Sequence, residues 1–144
     1  MILPRWVFRV VWAIDDTASR LSGGRLTVPN GSRGRLRTLF LHTVGRTSGE
    51  PRRNGLYYLE DGPNLVVVAS NAGDDRDPAW WRNLEARPEA EVEIGATRRS
   101  VRARQATPEE AGPLYERFVA AIPTYAEYRR KAARPIPVVI LEPR

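Results

Sequence analysis

The chain has 144 residues, a formal net charge of +6 and no cysteine, and its length is that of a single domain. The lack of cysteine excludes a disulfide framework, a thiolate nucleophile, an iron–sulfur cluster and a cysteine-ligated zinc site. Charged residues make up 28% and hydrophobic residues 42% of the chain. These shares exclude a wholly disordered tail and a multi-span membrane protein.

The positive charge comes almost entirely from arginine, because Lys131 is the only lysine. A high-GC genome favours arginine and is one explanation for this usage. Guanidinium groups also bind phosphate and carboxylate through paired N–H groups. The charge therefore also indicates an anionic partner. It does not distinguish between a phosphorylated cofactor, a nucleic acid and an anionic membrane.

Residues 1–20 predict an amphipathic helix that ends at the glycine pair of an N-terminal segment 1–24. Its polar face carries Arg5, Arg9, Asp16 and Arg20, and its apolar face carries Leu3, Val7, Val10 and Ile14. The apolar stretch is too short to span a bilayer and offers no clear secretory cleavage site, so we expect a cytoplasmic protein. Two alternatives stay open: the helix packs on its own domain, or it anchors the chain peripherally at the inner membrane surface through Trp6, Phe8 and Trp12.

The apolar periodicity changes from helix to strand after the linker at residues 30–34. Strands are predicted over residues 36–44, 54–60 and 65–70, joined by a long loop over 45–53 and a turn over 61–64. These three strands form a meander.

A polar loop over residues 71–77 leads into a short helix. Asp77 is the predicted N-cap and Pro78 the first helical residue, and the helix continues through residue 86. Alternating residues over 90–94 and 99–105 then predict a hairpin.

Two capping boxes predict the remaining helices. Thr107 with Glu110 starts a helix to about residue 122, and Thr124 with Glu127 repeats the pattern after a proline. A last strand is predicted over residues 136–141. Six short strands with flanking helices indicate an α+β fold, and so small a sheet avoids unpaired edges by closing into a barrel.

Conventional catalytic groups are absent from the sequence. His42 lies within a strand with no second histidine and no cysteine, which favours a structural role. Asp74, Asp75 and Asp77 could hold a divalent ion, but a loop cluster of this kind is usually solvated, and we predict no metal site. There is no Gly-x-Gly-x-x-Gly or P-loop motif. An enzyme of this composition would therefore depend on a bound cofactor.

The loop over residues 44–54 combines glycines, hydroxyls and three arginines, which are Arg46, Arg52 and Arg53. Backbone N–H groups, hydroxyls and guanidinium groups are the donors that a phosphate requires. Taken alone, the loop is better explained as a long solvated hairpin connection.

Small residues follow the third predicted strand over 69–73, and Trp80, Trp81 and Asn83 come after them. Small residues let a planar ring approach the backbone, and an indole can cover its face. The i, i+4 spacing of Trp80 and Leu84 is also typical of a helix packed in the core. We therefore expect at least one of the two tryptophans to be a core residue.

Together these segments resemble the deazaflavin-dependent nitroreductase and quinone reductase family. The similarity covers roughly residues 36–141, through the runs 43–49, 52–58, 68–73, 77–84 and 136–139. The resemblance implies that residues 36–144 form a single-domain split β-barrel that binds coenzyme F-420, whose ribityl phosphate and glutamate tail are anionic. It further implies a reductase that passes a hydride from the reduced deazaflavin to a quinone, a nitroaromatic or an activated alkene.

The resemblance also implies roles for individual residues. The phosphate and tail would be held by Arg46, Ser48, Gly49, Arg52 and Asn54. The deazaflavin would be lined by Ala69, Ser70, Asn71, Ala72 and Gly73, and enclosed by Pro78, Trp80 and Asn83. Tyr125 and Tyr128 would face the acceptor, and these two hydroxyls, Ser70 or solvent would supply the proton.

The chain departs from the family pattern at three positions. Many relatives have lysine where Thr47 and Asn71 stand, so two phosphate-neutralising charges are missing. Ile122 replaces a substrate-facing tyrosine of some members. The remaining alternatives are a non-catalytic carrier of the cofactor, a flavin- or haem-binding split barrel, and a nucleic-acid-binding module. Because the arginines are spread along the chain and not gathered into one run, we expect no nucleic-acid partner. The sequence leaves the oligomeric state open.

Overall fold

Alternating apolar and polar residues, together with continuously apolar runs over 65–68 and 138–141, produce six antiparallel strands, as seen in a computed structural model that describes residues 36–144. The strands are β1 (Arg37–Val44), β2 (Pro51–Asp61), β3 (Asn64–Val68), β4 (Glu89–Ile94), β5 (Thr97–Gln105) and β6 (Val138–Pro143). The helices are α1 (Ala79–Ala86), α2 (Pro108–Ala121) and α3 (Thr124–Lys131), with a 3-10 turn over Asn71–Gly73. The predicted helix over residues 1–20 lies outside the described residues.

The strands close into a barrel in the order β1-β2-β3-β6-β5-β4, and β4 pairs back with β1. All pairs are antiparallel. Closure satisfies the backbone hydrogen bonds that an open sheet of this size would leave at its edges. The predicted α+β split barrel is confirmed.

Two apolar clusters lie on opposite sides of the barrel wall. All six strands contribute to the interior cluster, which includes Leu39, Leu41, Val67, Val92, Val139 and Leu141. Trp80, Trp81 and Leu84 of α1 join this interior cluster, so both tryptophans are core residues. The outer cluster packs α2 and α3 against β3 and β6 around Phe118. Because helices cover its outer face, β3 is buried on both faces from Leu65 to Val68.

The capping predictions have mixed outcomes. Thr107 accepts a hydrogen bond from the Glu110 N–H, and the Glu110 carboxylate accepts one from the Thr107 N–H, so the first capping box is confirmed. The second box is wrong, because Pro123 is the N-cap and no side chain caps α3. Asp77 is not the N-cap of α1: Pro78 holds that position in extended backbone, and Asp77 accepts a hydrogen bond from Arg134 instead.

The connection between β1 and β2 is shorter than predicted. β2 begins at Pro51, which pairs with Val44, and Arg52 and Arg53 already belong to the ladder. The Arg53 guanidinium lies 3.9 Å from the centroid of the Phe40 ring, where a cation–π contact stabilises it. Two of the three arginines predicted in the loop are therefore strand residues.

Candidate functional site

The segments singled out from the sequence meet at one end of the barrel. Val44 at the end of β1 pairs with Pro51, and Val68 at the end of β3 pairs with Val138. Antiparallel pairing therefore places residues 45–50, 69–78 and 132–137 at the same end. We call residues 45–50 the Arg46 loop and residues 69–77 the Ser70 turn.

The Arg46 loop is a tight turn held by its own backbone. The Gly45 N–H donates to the Glu50 carbonyl and the Gly49 N–H to the Gly45 carbonyl, both at 2.8 Å. Ser48 Oγ accepts from the Glu50 N–H and from Arg52 Nη2, both at 3.1 Å. A Cβ at position 45 would lie 2.5 Å from Ser48 Oγ, so glycine is required for this close approach. The loop thus holds a hydroxyl and a guanidinium side by side.

Asn83 of α1 fixes the Arg46 loop from inside the protein. Its Oδ1 accepts from the Arg46 N–H and from Arg46 Nη1, both at 3.1 Å, and its Nδ2 donates to Thr43 Oγ1 at 3.2 Å. The residue is only 3% exposed. Its amide is therefore engaged by Arg46 and Thr43 of the protein itself.

The loop presents positive charge to solvent. Arg46 is exposed and forms no ion pair with any residue of the 36–144 barrel. Arg52 has a long contact of 3.5 Å with the exposed Glu50 carboxylate. Asn54 follows on β2 as a half-buried residue paired with Leu41. Guanidinium groups with so little compensating negative charge are the donors that phosphate and carboxylate groups bind.

The Ser70 turn has an unusual backbone. Asn71, Ala72 and Gly73 have consecutive positive φ angles of 47°, 55° and 79°. Asparagine and glycine adopt this left-handed region readily, whereas an alanine there costs about 1–2 kcal/mol. A Cβ at Gly73 would lie 3.2 Å from both Cα and the carbonyl oxygen of Tyr128, so glycine also allows α3 to pack on the turn.

Arg134 holds the Ser70 turn and was not identified from the sequence. Its Nη2 donates to the carbonyls of Ser70 at 3.0 Å and Ala69 at 3.2 Å. Its Nε donates to the Asp74 carbonyl at 3.1 Å, and its Nη1 to Asp77 Oδ1 at 2.8 Å. No local pattern marks this arginine, because its partners lie about sixty residues earlier in the chain.

The aspartates of the turn and His42 have structural partners. Asp74 accepts from the Arg76 N–H at 2.9 Å, and Asp75 accepts from the Ala133 N–H at 3.2 Å. His42 Nε2 lies 3.0 Å from a Glu93 carboxylate oxygen on the neighbouring strand. Across the described part of the chain, no three histidine, aspartate or glutamate side chains are grouped to hold a metal ion.

The two tyrosines of α3 occupy different environments. Tyr125 is 8% exposed, and its ring packs against that of Phe118 at a centroid distance of 5.3 Å. Burial raises the pKa of Tyr125 above its ordinary value. Tyr115 Oη donates to the Tyr125 carbonyl at 2.5 Å and ties α2 to α3. Tyr128 is half-buried and lies against Gly73 through its backbone.

The sequence-predicted residues therefore form three groups at one barrel end. Arg46, Ser48, Gly49 and Arg52 form the first, Ala69, Ser70, Asn71, Ala72 and Gly73 the second, and Pro78, Trp80 and Asn83 the third. The third group is buried: Trp80 is in the interior cluster and Pro78 is the N-cap of α1. Tyr128 borders the second group through its backbone, while its ring packs against that of Tyr125 at the edge of the outer cluster.

Comparisons with known proteins identify relatives over nearly the whole chain. A family model described as F420H(2)-dependent quinone reductase matches residues 16–143. An F420H(2)-dependent quinone reductase of Mycobacterium tuberculosis is 35% identical over 152 aligned positions, with 98% of each chain covered.

Two solved structures are also similar to this chain in fold and in sequence. An F420-H2 dependent reductase is similar with a TM-score of 0.66 and 35% identity, covering 73% of this chain and 93% of that chain. A chain described as a domain-swapped dimer is similar with a TM-score of 0.67 and 31% identity, covering 93% of this chain and 99% of that chain.

Proposed function

The chain belongs to the F420H(2)-dependent quinone reductase family, and on this premise we propose that it reduces a quinone at the barrel end formed by the Arg46 loop and the Ser70 turn. It is an F420-dependent oxidoreductase. The observation that carries the proposal is that the Arg46 loop, with Arg52 beside it on β2, and the turn of small residues lie at the same end of the barrel, where Asn83 of α1 binds Arg46. An anionic coenzyme with a planar ring requires both features.

The Arg46 loop fits the phosphate and glutamate tail of the coenzyme. Arg46 has no competing carboxylate within the described barrel, and Asn83 orients its guanidinium. Ser48 adds a hydroxyl next to the Arg52 guanidinium. Charge-assisted hydrogen bonds of this kind contribute about 1.5–3 kcal/mol each. Because these contacts are largely ionic, salt should weaken binding.

The Ser70 turn fits the deazaflavin ring. Ala69, Ser70, Ala72 and Gly73 have side chains small enough for a ring to lie close to their backbone. The tryptophans of α1 fill the barrel beneath and exclude water from that side. When bound, the reduced coenzyme supplies the hydride, and the protein's part is to orient the ring and the acceptor.

Quinone reduction also consumes a proton, because hydride plus proton converts a quinone to a hydroquinone. Burial makes Tyr125 a weaker acid than an ordinary tyrosine and places it in the outer cluster, which supports a packing role. We therefore propose that Tyr128, the Ser70 hydroxyl or solvent delivers the proton, and that Tyr128 forms part of the acceptor wall. Ile122 makes that wall more apolar and favours flat quinones.

The membrane contact proposed for residues 1–20 concerns a segment outside the described barrel. Among residues 36–144, no helix has the length and apolar character needed to cross a bilayer. The contact would bring the site close to lipid-soluble quinones. Flotation of the full chain with anionic liposomes, compared with a chain lacking residues 1–20, tests it. Equal flotation would contradict the proposal.

The proposed function is tested by titrating the protein with F-420 and then measuring oxidation of the reduced coenzyme with menadione. Arg52→Ala should weaken binding by about 1.5–3 kcal/mol, the value of one charge-assisted hydrogen bond. Arg98→Ala is the matched control, because Arg98 also pairs with a glutamate but lies near the turn at the other end of the barrel. Absence of coenzyme binding at low salt, or equal losses in both variants, would contradict the proposal.

A further inference from the structure

We propose that Arg134 is a positioning residue that shapes the Ser70 turn to receive the deazaflavin ring. The inference rests on the proposed function, because it assigns a role within the same site. Arg134 lies on the connection between α3 and β6, and its side chain is 13% exposed. Arg134 holds the turn by donating hydrogen bonds to its backbone carbonyls.

The contacts of Arg134 use its whole guanidinium. The five acceptors are the carbonyls of Ala69, Ser70, Asp74 and Pro135 and the carboxylate of Asp77. A guanidinium has five N–H groups, so the number of acceptors matches the number of donors. Arg134 therefore binds the turn rather than the coenzyme.

The positions of the carbonyls determine the orientation of the peptide groups. In a trans peptide the C=O and the following N–H point in opposite directions, and the described chain contains no cis peptide. Holding the Ala69 and Ser70 carbonyls towards Arg134 therefore turns the N–H groups of Ser70 and Asn71 to the opposite side. The arginine thus decides which side of the turn presents donors.

The turn's own hydrogen bonds lie within residues 70–76, where the Asn71 side chain donates to the Arg76 carbonyl and Asp74 accepts from the Arg76 N–H. The Gly73 N–H donates to the Ser70 carbonyl and the Asp74 N–H to the Asn71 carbonyl. Three consecutive left-handed residues, one of them alanine, persist only when the surrounding structure enforces them. Arg134 bridges the two ends of the turn, from Ala69 to Asp77, and so enforces that conformation.

The substitution Arg134→Lys keeps the positive charge but cannot make all the hydrogen bonds of the guanidinium group. An ammonium group has three donors at one point, whereas the planar guanidinium reaches carbonyls and a carboxylate at separate positions. Arg134→Lys should therefore fold and keep the ion pair with Asp77, while releasing part of the backbone. The matched control is Arg117→Lys, because Arg117 donates to the Glu60 carbonyl and pairs with Asp61 near the β2–β3 turn, at the opposite barrel end.

The experiment measures two quantities in wild type and both variants. The first is amide hydrogen exchange over residues 69–77 without coenzyme, and the second is the dissociation constant of F-420 from fluorescence titration. Arg134→Lys should accelerate exchange in that segment and raise the dissociation constant, each by at least about tenfold, which corresponds to one lost charge-assisted hydrogen bond. Arg117→Lys should change neither.

Chemical rescue tests whether the missing guanidinium group itself accounts for the lost affinity. In Arg134→Ala, millimolar guanidinium should restore part of the F-420 affinity, and sodium at equal ionic strength should not. Unchanged exchange over residues 69–77, or faster exchange with unchanged affinity in Arg134→Lys, would overturn the proposal. If the wild-type chain binds no F-420, the proposed function fails, and the exchange data alone then decide whether Arg134 shapes the turn.

Discussion

The substitution Asn83→Asp tests the connection between α1 and the Arg46 loop while changing only one polar group. A carboxylate can accept both hydrogen bonds that Arg46 now donates to Oδ1. The Thr43 hydroxyl can reverse and donate to the second oxygen, so no buried polar atom loses its partner. The barrel should therefore remain folded, with a new negative charge in contact with the Arg46 guanidinium.

The magnitude follows from what this charge does to Arg46. Paired with a carboxylate at about the present 3.1 Å, the guanidinium no longer offers net charge to a phosphate. The loss is one charge-assisted contact, about 1.5–3 kcal/mol, or about ten- to hundredfold in the dissociation constant. The dependence of affinity on salt should also become weaker, because one cation fewer faces the anion.

Titration of the coenzyme's fluorescence at several salt concentrations measures both effects. Asn64→Asp is the matched control, since it makes the same change of charge at the half-buried first residue of β3, next to the β2–β3 turn at the opposite end of the barrel. Asn64→Asp should bind F-420 as wild type does. Equal dissociation constants and equal salt dependence for Asn83→Asp and wild type would refute an anion site at Arg46.

Three further outcomes are expected. Tyr125→Ala should lower the free energy of unfolding, measured in urea, by about 3–5 kcal/mol, as for a buried aromatic residue. Tyr128→Ala should mainly change the ranking of quinone acceptors. Equal effects of the two variants on the unfolding free energy and on the ranking would contradict the separation of roles. Ala72→Gly should raise the unfolding free energy by about 1 kcal/mol by relieving a left-handed alanine, and a lower urea midpoint would contradict that strain. The Arg104 guanidinium lowers the pKa of Glu110 from 4.5 to about 2, so the stabilisation that depends on this carboxylate is present above pH 4.5 and lost towards pH 2. The difference in urea midpoint between wild type and Glu110→Gln should close over that interval, and a constant difference would contradict the ion pair.

Features determined by neighbouring residues were predictable from the sequence. The strands follow from alternation, and the Thr107 capping box follows from two residues three positions apart. The family motifs lie in the segments that follow β1 and β3, and both segments leave the same end of the barrel because β1 and β3 run in the same direction on either side of β2. Their joint role in binding stays a prediction.

Features determined by distant contacts were not predictable. Asp77 is a residue type that often caps helices, but its carboxylate accepts a hydrogen bond from Arg134, which lies 57 residues later in the chain. Ala72 carries no signal for positive φ, since only Asn71 and Gly73 in that run are residues that adopt it readily. Asn83 is a buried amide whose partners, Thr43 and Arg46, become neighbours only when α1 docks on β1.

Reduction of a quinone at this barrel end can be measured by single-turnover oxidation of reduced F-420 with a menaquinone analogue in the absence of oxygen. The wild-type chain should oxidise one coenzyme for each hydroquinone formed, and Asn83→Asp should require a higher coenzyme concentration for the same rate. Coenzyme that binds but is not oxidised when the quinone is added would contradict a reductase and identify a carrier.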